Sequence, residues 1–83
     1  MIPQHTKEAL DRYVEHGLDT GSFLCYVLSN DLFGAMGHAD QENARAIKEI
    51  CQYIYCELPS ACWGSKEMYI NWIKSKQAVA ALI

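Results

Sequence analysis

The chain lacks any long apolar run. The two longest, Phe23–Leu28 and Ala78–Ile83, are six residues each, where a helix spanning a bilayer needs about 20. It is poor in the residues that break structure, with two Pro and five Gly among 83 residues, and only 20% is charged while 51% is apolar. That balance excludes a disordered or collagen-like chain and indicates one folded domain over residues 1–83. Positive charge is also scarce. Seven Lys and Arg stand against ten Asp and Glu, a formal net charge of −3, so general nucleic-acid binding is not expected. The amino terminus has no basic segment leading into an apolar one, which points to a cytoplasmic protein whose four cysteines stay reduced.

No alternating strand pattern, internal repeat or low-complexity stretch is visible. What the chain has is helical spacing throughout. Ala9, Leu10, Tyr13 and Val14 mark one face of a helix over Gln4–His16, opened by Pro3 and stopped by Gly17. A second helix, capped by Asp19 or Thr20, carries Phe23, Leu24, Val27, Leu28, Leu32, Ala35 and Met36 in helical period. It either runs unbroken to Met36 or breaks at Asn30. Asp40 suits the cap of the longest helix, Gln41–Glu57, with Asn43, Ile47, Ile50, Cys51, Ile54 and Leu58 on its core face and Pro59 at its end. Ser65 caps a last helix bearing Met68, Tyr69, Trp72 and Ile73. Residues 77–83 extend it as a candidate oligomerisation tail. The expected architecture is all-α, a bundle of four to five helices.

Metal and nucleophile chemistry find little purchase. Structural zinc sites pair two thiolates on a tight knuckle, but Cys51 and Cys56 on one helix diverge by about 140°, and Cys25 reads as a small buried hydrophobe. No metal site and no cofactor are expected. Cys62, before a helix start, is the one candidate nucleophile, and it has no evident base.

Binding chemistry has better candidates. On one long helix Gln41, Arg45, Lys48, Gln52 and Tyr55 fall within about 80° of each other, joining a guanidinium, an ammonium and an aromatic ring suited to a phosphorylated ligand. The plainer reading is a solvated face with an Arg45–Glu49 ion pair. Trp63, followed by Gly64 and Ser65, offers a stacking ring beside helix-start amides, or else simply lids the core. Thr20-Gly21 is a weaker anion candidate of the same kind. The candidate ligand residues are Arg45, Lys48, Tyr55, Trp63 and Ser65.

The strings Ala9-Leu-Asp-Arg-Tyr-Val-Glu-His-Gly17, Thr20-Gly-Ser-Phe-Leu24, Val27-Leu-Ser-Asn-Asp-Leu32 and Cys62-Trp-Gly-Ser65 with Trp72 resemble small helical proteins encoded by phages and prophages. The resemblance spans roughly residues 9 to 73 and implies a counter-defence factor inside the host cell, carrying no binding residue with it. The expected function is then a non-enzymatic homo-oligomer that sequesters a small phosphorylated or nucleotide immune signal. The alternative is an interaction module that binds and inhibits one host protein.

Overall fold

Pro3 starts the first helix by offering its carbonyl to the amides of Thr6 and Lys7, both at 3.1 Å. In the computed structural model, which describes residues 1–81, α1 runs Gln4–His16. It ends where Gly17 turns left-handed (φ +66°) and its N–H donates to the Tyr13 carbonyl at 2.9 Å. A Cβ at Gly17 would lie 2.5 Å from Lys76 Cβ, so the missing side chain also lets the last helix pass close by.

The second hydrophobic stretch breaks. α2 (Ser22–Leu28) and α3 (Leu32–His38) are separated at Asn30, which adopts φ +63°. Asn30 N–H donates to the Val27 carbonyl and Asp31 N–H to the Tyr26 carbonyl, a Schellman ending with asparagine in the place usually held by glycine. The side chain of Asp31 then caps α3, accepting from Gly34 N–H at 2.9 Å. The expected cap of α2 is corrected: Gly21 takes that position without a side-chain cap, and Asp19 braces the loop by accepting from Gly21 N–H at 2.8 Å.

The expected long helix over Gln41–Glu57 is two helices, α4 (Gln41–Arg45) and α5 (Ile47–Glu57). Asp40 caps α4 as its position suggests, accepting from Asn43 N–H at 2.7 Å. At Ala46 (φ −97°, ψ 8°) the winding changes, and the Ala46 N–H is shared between the carbonyls of Glu42 and Asn43. Ala46 is buried at this junction. Leu58 and Pro59 leave α5, a single 3₁₀ turn covers Ser60–Cys62, and α6 (Lys66–Ala81) closes the fold. The two breaks raise the count to six α-helices, five of them seven residues or longer, with no strand among the described residues. Of the expected tail, residues 77–81 continue α6 and residues 82 and 83 lie outside the described residues.

The helices meet around Tyr13. Its ring stacks on Tyr69 of α6 at 5.1 Å, its hydroxyl donates to the Cys62 carbonyl at 2.7 Å, and its own carbonyl accepts from Trp72 Nε1 at 3.0 Å. Leu10, Leu28 and Ile50 fill the fully buried centre. Thr6 and Asn43, the buried polar pair, satisfy each other at 2.6 Å, tying α1 to α4. The first turn of α4 is thereby fixed relative to α1. The outer face of α5 and the α2–α3 corner remain at the surface.

Candidate functional site

Helix α5 lays Ile47, Cys51 and Tyr55 in a row one turn apart, facing the corner where α2 passes into α3. Between them runs a shallow groove in two adjoining parts. Val27, Asp31, Leu32, Ala35, Ile47 and Cys51 line one of about 250 Å³. Val27, Cys51, Ile54, Tyr55 and Trp63 line the other, of about 180 Å³. Val27, Asn30 and Cys51 belong to both. Cys51, expected in the core, is exposed because α5 turns its Ile50 and Ile54 edge inward and leaves residue 51 at the groove wall.

The structure brings two of the candidate ligand residues together. Tyr55 is 74% exposed, and its ring lies 5.8 Å from that of Trp63 at a tilt of 50°. Trp63 packs its other side on the core, and its buried indole N–H has no hydrogen-bond partner. Gln52 and Lys48 stand one and two turns back from Tyr55 on the outer face of α5. Arg45 lies across the break at Ala46, three residues before Lys48 and ten before Tyr55, the latter roughly 15 Å along a helical path. It borders a different, open cleft of about 640 Å³ together with Gln4, Lys7 and Glu42. The expected Arg45–Glu49 ion pair does not form among the described residues.

Ser65 does what its sequence position suggests, accepting from Met68 N–H at 3.1 Å to cap α6. That hydroxyl is therefore engaged, and the neighbouring Gly64 N–H donates to the Leu28 carbonyl at 2.8 Å. Two of the groups that an anion at the start of α6 would use already have partners.

The cysteines are unpaired. Cys51 and Cys56 are exposed, Cys25 is half-buried rather than fully enclosed, and Cys62 is buried. Burial pushes the Cys62 thiol up to about 11, the opposite of what activates a nucleophile. Burial also raises Cys51. Among the described residues no cluster of three His, Cys, Asp or Glu side chains is placed to hold a metal ion.

One feature of the surface is not anticipated by the spacing. Leu32, Ala35 and Met36 share a face with the core residues of α2 only if the helix is unbroken. After the turn at Asn30, α3 buries Ala35 alone. Leu32 is 61%, Phe33 90% and Met36 42% exposed. Phe33 beside Leu32, with no charge from Leu32 to Gly37, is the only signal in the sequence that could have marked this face.

Compared with known proteins, the chain matches no family model, no curated protein and no solved structure.

Proposed function

We propose that this is a non-enzymatic binding protein that works as a homo-oligomer and holds a small phosphorylated, nucleotide-like ligand. One observation carries the reading: the exposed Tyr55 ring meets the half-buried Trp63 ring at the end of a groove, with Lys48 and Gln52 following on the same side of α5. A flat base stacks on such rings, and an ammonium two turns away attracts a phosphate. The Tyr55–Trp63 part, at about 180 Å³, is too small by itself to enclose a nucleotide, since ligand sites that do so measure about 300–1,000 Å³. A second subunit would supply the missing wall. Capture of a nucleotide immune signal is the counter-defence role that the likeness to phage proteins implies.

Calorimetry with cyclic dinucleotides and cyclic ADP-ribose-type compounds tests it. Micromolar or tighter binding is expected for at least one of them, weakened at least tenfold by Tyr55→Ala and by Lys48→Ala. Titrations flat for all of them would defeat the reading.

A second reading has its own support on another face. Asp11, Glu15 and Glu57 surround a cleft of about 270 Å³ beside Tyr53, whose hydroxyl donates to Asp11 at 2.9 Å. Such a face suits a host protein with a basic surface. A stoichiometric partner retained from host extract by the native protein, and lost on Glu15→Lys with Glu57→Lys, would favour it over ligand capture.

A further inference from the structure

We infer that the cleft between α1, the start of α2 and the cap of α4 is a binding site for a small neutral polyhydroxyl compound of monosaccharide size. It shares no lining residue with the groove at Tyr55 and does not depend on the reading above.

The cleft measures about 290 Å³, where α1, α2, the end of α3 and the cap of α4 converge. That is just below the range of about 300–1,000 Å³ for drug-sized ligands, which sets the size of its guest. Thr6 and Asn43 line it, the two buried polar residues of a core that is otherwise apolar. Their bond uses the Thr6 hydroxyl proton and Oδ1 of Asn43, which fixes the amide with Nδ2 on its other side. Asn43 is 7% exposed, and its Nδ2 has no hydrogen-bond partner among the described residues. It is not sealed in as the indole N–H of Trp63 is, so its two N–H groups open onto the cleft. A donor so placed is costly unless something in the cleft accepts from it.

Two acceptors line the same space. Asp40 uses Oδ1 for the Asn43 backbone N–H at 2.7 Å, which leaves Oδ2 for a ligand. His38 is held by its stack on Tyr26, with ring centroids 4.9 Å apart, and by Nδ1, 3.0 Å from the Gly34 carbonyl. A carbonyl only accepts, so Nδ1 carries the proton and Nε2 presents a lone pair. Ser22 adds a hydroxyl that turns either way.

These donors and acceptors select the ligand. One formal charge lines the cleft, that of Asp40, with His5 and His38 neutral at pH 7. A phosphate meets that charge and finds no Lys or Arg beside it. An ammonium group suits Asp40 but has no lone pair for Asn43 Nδ2. A hydroxyl both donates and accepts. Neighbouring hydroxyls on one ring accept from Asn43 and donate to Asp40 and His38 together.

Titration of the full chain at pH 7.5, followed by heteronuclear NMR, tests this with D-ribose, D-glucose, D-galactose and myo-inositol, and with sodium phosphate as the contrasting anion. At least one polyol should shift the Asn43 side-chain amide saturably, with a dissociation constant of about 1–10 mM. Phosphate should leave that signal in place. Asp40→Asn keeps a good helix cap and His38→Phe keeps a ring on Tyr26, so both should retain the native circular dichroism spectrum. Each should weaken polyol binding at least fivefold. Flat titrations with all four polyols would overturn the inference, as would saturable binding of phosphate at Asn43 or full affinity in both variants.

Discussion

Cys62 and Tyr13 show how single residues set the behaviour of the core. The Cys62 thiol is held near 11 by burial, against about 9 in an unfolded chain. Its neutral form is therefore favoured by folding, and the stability it contributes is whole below pH 9 and lost as pH rises toward 11. Above pH 9 the unfolded chain releases its thiol proton first, which pulls the equilibrium toward unfolding. Tyr13, whose hydroxyl donates to the Cys62 carbonyl, is raised further still by the same burial and adds to the loss at the alkaline end. Urea unfolding at pH 7, 9 and 10.5 should show little change over the first interval and a fall of about 1–2 kcal/mol over the second. Equal stability at pH 7 and 10.5 would mean that the thiol is open to water. For function, the same burial removes the sequence's one candidate nucleophile from reach of a substrate.

At the scale of elements, the ends of helices are where sequence and structure agree best. The bounds of α1, Gln4 and His16, follow from Pro3 and Gly17, because each of these residues has a single backbone role that it fills more cheaply than any other. Asp40 and Ser65 were legible as caps for the same reason. The bend at Ala46 was not. Alanine is the best helix former and gives no local sign of a break that packing imposes. That hidden break puts Arg45 and Lys48 on different helices, while the loop fold that sets Trp63 beside Tyr55 depends on contacts far apart in sequence. Residue types at the site could be read, but their meeting could not. The two left-handed positions supply a test of the element boundaries. Gly17→Ala must take φ +66° and also displace Lys76 Cβ, so it should cost more than about 2 kcal/mol and lower Tm by roughly 10 °C. Asn30→Val strains only the α2–α3 turn and should cost about 1–2 kcal/mol. Calorimetric melting of both variants checks the order, and a Gly17→Ala protein as stable as the native one would contradict the close passage of α1 and α6.

The whole molecule is small for the number of elements it holds. An 83-residue chain buries only about 60–65% of the surface its unfolded form exposes, and here one of its helices spends its apolar side chains on the surface. A monomer so built would be marginal, and a partner that covers α3 adds burial that the chain alone lacks. If that partner is a second copy, folding and association are one equilibrium, and stability must depend on how much protein is present. Each tenfold rise in concentration adds about 1.4 kcal/mol per dimer, which for a domain of this size raises Tm by roughly 3–5 °C. Phe33→Asp should abolish the dependence without abolishing the transition, because the residues around Tyr13 and Ile50 that make the core are untouched by it. Scanning calorimetry on native and Phe33→Asp protein at two concentrations tenfold apart is sufficient. Coincident native curves would show that the exposed side of α3 contributes nothing to the folded state by self-contact, and the pocket at Tyr55 and Trp63 would then have to bind its ligand with one wall.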